Sequence, residues 1–416
     1  MSRPSQIISS VAVPKPRLRS LYASGAVVQL SDGREYLDLM NGKGCITLGH
    51  HHSAVTEAMI ASLRMKTGCL TCWSDAFEEL AEMIVVDSGV RGAQAAFFST
   101  GTEACRAAVE CARRCSRKRL IASAGYHGWG DLWASPSGIL EPNKSGVVDF
   151  YYVPELLAEI LDRYRGQIAM VMVSPDYVHL RPETLKRLVQ LAREHEVLYC
   201  SDDVKNGYRS VAGSALPVVT GEKADLYTFS KGLSNGQRLS CLVGAPEVIG
   251  KAKHMTYTSY FDPLPIAAAL ATLKHMGSEQ GYERLAACGS TLADLLRELI
   301  EQSGVPMKIF GDGPLLQMIG ATEALDEAFY SACARRGLLL YDYDNQAVSL
   351  ATADVLPEVA ARFKQVIGDL TESFGPYYGA TVSAQRQLEA AFSMIDGITD
   401  SVPAEEALHW LQETKK

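Results

Sequence analysis

The sequence has no excess of positive charge, no long apolar run and no internal repeat. Its formal net charge at pH 7 is −8, so it offers no broad basic surface to displace counterions from nucleic-acid phosphates. No segment approaches the roughly 20 consecutive apolar residues that span a bilayer. Serines, prolines and basic residues interrupt residues 1–18, which therefore lack the apolar core of a signal peptide. We expect a cytoplasmic protein that binds neither nucleic acid nor a membrane.

Signatures of metal and nucleoside-triphosphate sites are also scarce. The ten cysteines are scattered, and a reducing compartment would leave them as thiols. The one CxxC pair, Cys69 with Cys72, has no second pair or histidine at zinc-finger spacing. The triplet His50–His52 does not suit one ion, because adjacent side chains point in different directions on a helix or a strand. The pattern GxxxxGK[ST] is absent, and we expect no metal site.

What the sequence does contain is the pattern of an α/β protein. Its 47% hydrophobic and 21% charged residues are typical of a globular chain. From about residue 54, helical segments alternate with short apolar strands, which indicates a mainly parallel sheet. The predicted helices are Ala54–Lys66, Asp75–Asp87, Glu103–Arg117, Pro154–Arg165, Pro182–His195 and Pro265–Met276. The predicted strands are Ala95–Phe98, Arg119–Ala122, Ile168–Val173, Val197–Ser201, Leu226–Phe229 and Leu239–Val243.

The two ends of the chain follow a different pattern. Val27–Leu39 predicts a hairpin that turns at Ser31-Asp32-Gly33. Near the other end, antiparallel strands are predicted over Met307–Ile319 and Leu338–Thr352, and helices over Pro357–Phe374 and Ser383–Asp396. We therefore predict three parts: an N-terminal arm and hairpin (1–52) that packs with a small C-terminal domain (305–416), and a large ligand-binding domain (53–304).

Small and aromatic residues follow the first two predicted strands, at the sheet edge where ligands collect. Ser99-Thr100-Gly101-Thr102-Glu103 leads directly into a helix, and free backbone N–H groups at a helix start suit a phosphate. An ordinary N-cap, with Thr102 capping, is the alternative. After the second strand, Tyr126 stands between glycines in Gly125-Tyr126-His127-Gly128. Its ring could lie on a planar ligand or pack within the loop.

Ionisable groups follow two later strands. Asp202 and Asp203 repel each other at the end of a buried strand, so one could hold a proton on a ring nitrogen while the other points away. A metal site is the rival, although no third ligand lies nearby in sequence. Lys231 follows a strand one βα unit later, where burial disfavours its ammonium form. Such an amine can form a Schiff base; a solvated lysine in a turn is the alternative.

An anion cradle, an aromatic face, a carboxylate and an amine thus stand at strand ends of one predicted sheet. Pyridoxal 5′-phosphate (PLP) requires this combination, with a phosphate site, a stacking ring, an acid beside the pyridine nitrogen and a Schiff-base lysine. Each feature alone is weak or moderate. Their joint appearance predicts a PLP enzyme.

The same motifs resemble those of the class III, fold-type I aminotransferases and the related glutamate-1-semialdehyde aminomutases. Ser99–Ala104 is similar to the family's NSGTEA, Tyr126–Gly128 to YHG, Asp202–Val204 with Gly207–Arg209 to DEVxxGFR, and Ser230-Lys231 to the site of the Schiff-base lysine. Gly49–Ser53 resembles LGHxHP, with Ser53 in place of proline, and Asp203 replaces the glutamate of DEV. The likeness covers most of the chain.

This resemblance implies an α/β fold of fold-type I, with a mainly parallel central sheet flanked by helices and a smaller α+β lobe. It implies PLP as cofactor and a homodimer whose active site is shared. Lys231 would be the catalytic Schiff-base lysine, and Asp202 would keep the pyridine nitrogen protonated. The implied cofactor-binding residues are Thr100, Gly101, Thr102, Tyr126, His127, Asp202, Val204 and Lys231, with Thr258 of the partner subunit.

Further segments resemble the 6′-aminotransferases of aminoglycoside antibiotic biosynthesis, the neomycin and gentamicin group. They include Leu140–Asn143, Val173–Asp176, Thr258–Phe261 and Asp344–Gln346. This likeness implies amino transfer to a 6′-oxo sugar, with glutamate or glutamine as donor. The alternatives are a C6′ epimerase of the gentamicin type, an aminomutase, and a scaffold or sensor that only binds PLP.

A polycationic amino sugar suits a site mouth of carboxylates and aromatic rings, and the acidic net charge would help to attract it. For this mouth we predict Trp73, Glu141, Asp176, Tyr260 and Phe261. For each of these residues simple loop packing is the alternative.

Overall fold

The computed structural model describes residues 18–66, 68–133, 135, 137–342, 344–374, 381–383 and 386–387. Its first elements are three strands, β1 (Ser20–Ser24), β2 (Val27–Leu30) and β3 (Glu35–Asp38), which pair antiparallel in this order. The turn after β2 closes with a hydrogen bond from the Gly33 N–H to the Leu30 carbonyl at 2.9 Å. Gly33 has φ +82°, a conformation that glycine adopts without strain. The predicted hairpin is therefore present.

A seven-stranded sheet forms the centre of the molecule. Its strands are β4 (Gln94–Phe98), β5 (Leu120–Ala124), β6 (Val147–Asp149), β7 (Ile168–Val173), β8 (Leu198–Asp202), β9 (Leu226–Phe229) and β10 (Ser240–Gly244), in the order β4-β10-β9-β8-β7-β5-β6. Neighbouring strands pair in parallel along the series β6-β5-β7-β8-β9, whereas β10 runs antiparallel to both β4 and β9. The mainly parallel sheet is confirmed. The three-residue strand β6 is an element that the sequence did not predict.

Burial on both faces explains the strand sequences. All six residues of β7, Ile-Ala-Met-Val-Met-Val, are buried, and so are all residues of β9 and β10. Such continuous apolar runs are typical of parallel strands that helices cover on both sides. At β8 the buried run ends in Ser201 and Asp202. The polar side chains that end β8 therefore lie in the interior at the carboxyl edge of the sheet.

The helices begin and end close to the predicted residues. They are α1 (Ser53–Met65), α2 (Asp75–Ser88), α3 (Gly101–Ser116), α4 (Pro154–Arg163), α5 (Pro182–Glu194), α6 (Leu216–Thr220), α7 (Pro246–Ile249), α8 (Pro263–Ser278), α9 (Gly281–Ser303), α10 (Glu323–Arg335), α11 (Leu350–Asp354) and α12 (Leu356–Phe374). In α5 the buried residues Leu185, Leu188, Val189 and Ala192 recur at helical spacing. Helices α6, α7, α9, α10 and α11 were not predicted, and α9, with 23 residues, is the longest of them.

The C-terminal lobe corrects part of the prediction. Strands β11 (Met307–Phe310) and β12 (Leu315–Gly320) form the expected antiparallel pair. The expected antiparallel region Leu338–Thr352 is confirmed only in part: among its described residues, β14 (Gln346–Ala347) pairs antiparallel with β12, whereas β13 (Leu338–Leu339) runs parallel to β3. A capping box between Ser349 and Thr352 starts helix α11 instead.

The pairing of β13 with β3 joins the N-terminal hairpin to the C-terminal lobe in one sheet of the order β1-β2-β3-β13. The three-part division at residues 52 and 304 stays a prediction. Helix α12 matches the predicted Pro357–Phe374 within one residue, whereas most of the predicted helix Ser383–Asp396 lies outside the described residues.

All ten cysteines are free thiols. In the described part of the chain, no helix combines the length and apolarity needed to cross a membrane.

A close approach in the C-terminal lobe gives a stability prediction. A Cβ on Gly289, in α9, would overlap the Gly313 carbonyl of the turn before β12. We expect Gly289→Ala to lower the free energy of unfolding by about 1–3 kcal/mol, because the backbone must shift. Gly368→Ala in α12 is the matched control, since nothing lies within 4 Å of its added methyl, and alanine favours a helix by up to about 1 kcal/mol. Urea unfolding of both variants tests this; equal effects would contradict the close approach.

Candidate active site

The loop between β4 and α3 forms a helix start suited to an anion. Thr100 is the N-cap, because its Oγ1 accepts a hydrogen bond from the Glu103 N–H at 3.3 Å. In return, the Glu103 carboxylate accepts from the N–H groups of Ser99 and Thr100, each at 2.9 Å. The alternative in which Thr102 caps is therefore wrong. Gly101 and Thr102 supply the first two N–H groups of the helix, which have no acceptor within it and lie at its positive end.

Two glycines allow neighbouring loops to close around this helix start. A Cβ on Gly101 would lie 2.7 Å from the side chain of Val204, and one on Gly128 would overlap Thr102. The loops after β4, β5 and β8 therefore meet at one place. Tyr126 lies in the second of these loops and is 47% exposed. The structure thus brings the predicted phosphate and stacking residues together, while their contact with a cofactor stays a prediction.

Asp202 ends β8 and is held from three directions. Its Oδ1 accepts hydrogen bonds from the Thr228 hydroxyl at 2.8 Å and from the Val204 N–H at 3.2 Å. Its Oδ2 lies 2.7 Å from Nδ1 of His127, and both side chains are buried. The Nε2 of His127 has no hydrogen-bond partner among the described residues. The contacts with Thr228, Val204 and His127 fix the orientation of the Asp202 carboxylate at the edge of the sheet.

Asp203 lies in a different environment although it is adjacent. Its Oδ2 accepts hydrogen bonds from the hydroxyls of Ser201 at 2.6 Å and Ser214 at 2.9 Å. Burial raises the pKa of Asp203 to about 7, since desolvation disfavours its charged form. The two adjacent acids thus have separate partners, as alternation along a strand requires. Asp202 is the acid that shares its surroundings with His127 and the helix start.

Lys231 follows β9 in a strained conformation. Its φ is +38°, and it begins a short 3₁₀ helix that ends at Leu233. Burial, and then the positive charges of Lys205 and Arg209, lower the pKa of the amine to about 8. A non-glycine residue at positive φ is costly and recurs at functional sites. A neutral amine near physiological pH is the form that attacks an aldehyde.

One group of donor atoms resembles a metal site. Among the described residues, Cys105, His127 and Asp202 place one ligand atom each within 4.8 Å of one another. Burial, together with the charge of Asp202, holds the pKa of the Cys105 thiol well above its usual range, whereas metals bind the thiolate. His127 and Asp202 already contact each other. We interpret this group as support for the Asp202 carboxylate.

Three of the five predicted substrate residues form one aromatic cluster. The ring centre of Phe261 lies 5.5 Å from that of Trp73 and 4.8 Å from that of Tyr260. Trp73 is 60% exposed. Phe261 also lies 5.5 Å from Phe77, whose ring is 5.9 Å from that of Phe97 in β4. The cluster therefore packs on the strand that leads into the anion-binding loop. Thr258 is exposed in the same segment, and its role in a second subunit stays a prediction.

The two predicted carboxylates differ in position. Asp176 lies in the loop after β7, where its Oδ1 accepts from the N–H groups of Val178 and His179 at 2.9 and 3.2 Å. The preceding Pro175 carbonyl accepts from the Asn206 amide at 2.5 Å, so this loop adjoins the one after Asp202. Glu141 instead precedes the edge strand β6 and pairs with Arg163 at 3.2 Å. Its contact with a substrate stays a prediction that this position does not favour.

Sequence reasoning missed a set of charged groups beside Lys231. Lys205 and Arg209 lower the pKa of its amine, whereas Asp344 raises it. Arg209 is 1% exposed, and it donates through Nε to the Lys205 carbonyl at 2.7 Å and through Nη2 to the Gly44 carbonyl. The spacing of three and seven residues after Asp202 could have signalled the two basic groups. No local signal could have placed Asp344 there.

The comparisons with known proteins agree with this geometry. The profile of the family described as class-III aminotransferase matches residues 10–358. The chain belongs to the class-III aminotransferases. It is 30% identical to the 2'-deamino-2'-hydroxyneamine transaminase of Streptomyces kanamyceticus, over 83% of this chain and 90% of that protein. It is 28% identical to the glutamate-1-semialdehyde 2,1-aminomutase of Thermus thermophilus, over 86% and 92% of the two chains.

A solved structure extends the likeness to the cofactor. The FumI protein of Sphingopyxis sp. MTA144, in a form that carries PLP, is 25% identical, with a TM-score of 0.78 over 88% of this chain and 92% of that one. The central sheet and flanking helices are thus those of fold-type I, and PLP is the cofactor of this class-III aminotransferase. The residues present fit it: the glycine-lined helix start suits the phosphate, and the fixed carboxylate of Asp202 suits a protonated ring nitrogen.

The lowered pKa of Lys231 predicts how the apoenzyme takes up PLP. We expect the rate of PLP uptake to rise with pH to a midpoint near 8, rather than near the 10.5 of an ordinary lysine, because only the neutral amine condenses with the aldehyde. Stopped-flow absorbance in the visible measures this rate.

Two variants test the assignment with the same absorbance measurement. Lys205→Met should move the midpoint to higher pH, since it removes a positive charge that opposes protonation of Lys231. Lys231→Ala should not develop the visible absorbance band that marks PLP joined to the lysine. A midpoint above 10, or an unchanged band in Lys231→Ala, would contradict the assignment.

Proposed function

We propose that this aminotransferase transfers an amino group to C6′ of an aminoglycoside, converting a 6′-oxo sugar into a 6′-amino sugar in antibiotic biosynthesis. The observation that carries the proposal is the aromatic cluster of the exposed Trp73 with the partly buried Tyr260 and Phe261, which packs through Phe77 on β4, the strand that leads into the anion-binding loop. Aromatic faces attract ammonium groups and cover the apolar faces of sugar rings. The 30% identity to a transaminase named for a neamine derivative supports the same substrate class.

Lys231 and Asp202 perform the proton chemistry in this proposal. When bound, PLP accepts the electron pair that is released as a proton leaves the amine-bearing carbon. Asp202 holds a proton on the ring nitrogen, and its hydrogen bonds from Thr228 and Val204 keep its carboxylate in place. Lys231 Nζ moves the proton between the substrate carbon and the cofactor, since its lowered pKa lets it act as base and then as acid.

A second subunit completes the site in this proposal. Thr258 is exposed, and Ser259 beside it has φ +63°. We infer a homodimer in which Thr258 reaches the cofactor phosphate of the other protomer, as the family resemblance implies. A cytoplasmic location fits the ten free thiols.

The role of Asp202 can be tested by substitution. We expect Asp202→Asn to retain PLP but to lose roughly 100-fold or more in turnover, because the ring nitrogen no longer keeps its proton. Asp203→Asn is the matched control. It should lose less than about tenfold, since the pKa of Asp203 lies near 7 and its partners are two hydroxyls. Visible absorbance measures PLP content, and amine formation measures turnover. Full activity of Asp202→Asn would exclude the assigned role.

The acceptor requirement separates amino transfer from isomerisation. We expect the holoenzyme to deaminate a 6′-amino aminoglycoside only when a keto acid is added, because the amino group needs an acceptor. Mass spectrometry after incubation in heavy water, with and without the keto acid, checks this. Deuterium at C6′ with sustained turnover in the absence of any keto acid would instead establish an epimerase, the alternative that shares the fold.

A further inference from the structure

Two cysteines lie together in the segment that precedes α2. Cys69 and Cys72 are both exposed free thiols. The Cys69 Sγ lies 3.2 Å from the Thr71 hydroxyl, and it also contacts the N–H groups of Thr71 and Cys72 and the thiol of Cys72. The chain therefore turns so that residues 71 and 72 fold over the sulfur of Cys69. The chemistry of Lys231 and Asp202 involves neither thiol.

The contacts around Cys69 favour its thiolate. The Thr71 hydroxyl, the N–H group of the same residue and then the Cys72 thiol lower the pKa of the Cys69 thiol by hydrogen bonding. The thiolate is the form that attacks a disulfide, and exposure gives a reagent access to it. Cys69 is therefore the nucleophile of the pair, and Cys72 is the thiol within its reach.

The same segment carries one side of the aromatic cluster. Leu70, between the two cysteines, pairs with Phe261, whose N–H donates to the Leu70 carbonyl at 3.3 Å. Leu70 has φ +59°, a conformation that is costly for a leucine. Trp73 follows Cys72 directly, and its ring centre lies 5.5 Å from that of Phe261. A covalent bond between residues 69 and 72 would therefore act on both contacts with Phe261.

We propose that Cys69 and Cys72 are a thiol–disulfide modification site, in which a reversible disulfide changes the position of Trp73 against Phe261. The oxidant is a low-molecular-weight disulfide. The Cys69 thiolate attacks one of its sulfur atoms, forms a mixed disulfide and releases the first small thiol. Cys72 then loses its proton, attacks the Cys69 sulfur and releases the second small thiol. The two protein thiols thus lose two electrons and two protons, which the small disulfide gains as it becomes two thiols.

The position of the pair suits a reversible bond rather than a structural one. The ring that the bond closes contains only four residues, so it constrains the unfolded chain little. Exposed disulfides are readily reduced, and disulfides in reducing compartments are mostly transient or redox-sensing. The site therefore follows the thiol–disulfide balance of its surroundings.

A second pair of cysteines in the same protein is a matched comparison. Cys115 is exposed near the end of α3, and Cys111 lies one turn before it. Cys111 is buried, and burial raises the pKa of its thiol to about 11, so it is a poor nucleophile at neutral pH. We expect Cys115 to stop at the mixed disulfide, whereas Cys69 proceeds to a disulfide with Cys72.

Mass spectrometry tests the chemical step. The holoenzyme is treated with glutathione disulfide, alkylated with iodoacetamide and digested with trypsin. The peptide 67–91 should lose the mass of two hydrogen atoms and resist alkylation until dithiothreitol is added. Cys72→Ser should instead retain glutathione on Cys69. Free Cys69 and Cys72 after prolonged treatment, or a stable mixed disulfide on Cys69 of the native chain, would overturn the proposal.

The role of Thr71 gives a rate measurement that does not depend on the fold being disturbed. Thr71→Val should slow disulfide formation severalfold at neutral pH, because it removes the hydroxyl contact that lowers the pKa of Cys69. Thr71→Ser keeps a hydroxyl and should restore the rate. Equal rates in the native chain and in Thr71→Val would contradict the assignment of Cys69 as the attacking thiol.

The effect on the aromatic cluster is measured separately. Oxidation should change the tryptophan fluorescence of the native holoenzyme, and this change should be absent in Trp73→Phe. The double variant Cys69→Ser with Cys72→Ser is the control, since it cannot form the bond and should not respond to the oxidant. A disulfide that forms without altering the Trp73 signal would overturn the role assigned to it.

The consequence for binding rests on the proposed function. We expect oxidation to weaken neamine binding roughly tenfold, because the displaced cluster supplies the aromatic faces for the sugar. Reduction followed by gel filtration should restore the affinity, which titration of the cofactor absorbance measures. Unchanged neamine affinity in the oxidised enzyme would overturn this effect. If the reduced enzyme reacts with L-glutamate but does not bind neamine, the amino-sugar function fails, and the mass and fluorescence results still decide the modification site.

Discussion

The parallel register of β8 with β9 is the constraint on which the active site depends. Asp202 pairs with Thr228 across these strands, and the Thr228 hydroxyl donates to Asp202 at 2.8 Å. Lys231 follows three residues after Thr228, so one register fixes the acid and the amine on the same edge. A slip by one residue would turn every side chain to the opposite face. Because both strands are buried on both faces, such a slip is strongly disfavoured.

The same burial acts in opposite directions on the ionisable groups that this edge collects. Desolvation raises the pKa of Asp203 to about 7 and lowers that of Lys231 to about 8, because in both cases it disfavours the charged form. Asp202 differs from its neighbour since it contacts His127 and a backbone N–H as well as a hydroxyl. Two adjacent aspartates thereby acquire different chemistry, from their partners rather than from their identity.

The sequence was sufficient for features that local patterns determine. Hydrophobic runs located strands such as Ile168–Val173 to the residue, and the strand ends identified Asp202 and Lys231. Contacts between distant segments could not be predicted from the sequence. Neither the parallel pairing of β13 with β3 nor the approach of Asp344 to Lys205, 139 residues apart, leaves a periodic signal. The capping threonine was also misplaced by two residues, because Thr100 and Thr102 are equally good caps and only the Glu103 side chain decides between them.

Arg209 shows how the fold keeps Lys231 reactive. This arginine is 1% exposed, its Nη1 has no hydrogen-bond partner among the described residues, and burial lowers its pKa to about 10. A buried charge without a full set of partners is costly. A carboxylate at this position would reduce that cost, but its negative charge would favour protonation of the nearby Lys231. Carbonyl partners, such as those of Gly44 and Lys205, hold the guanidinium while leaving its positive charge to act on the amine. The cost in stability thus adds to the effect of burial on Lys231, whose lowered pKa leaves a larger share of the amine neutral near physiological pH than in an ordinary lysine.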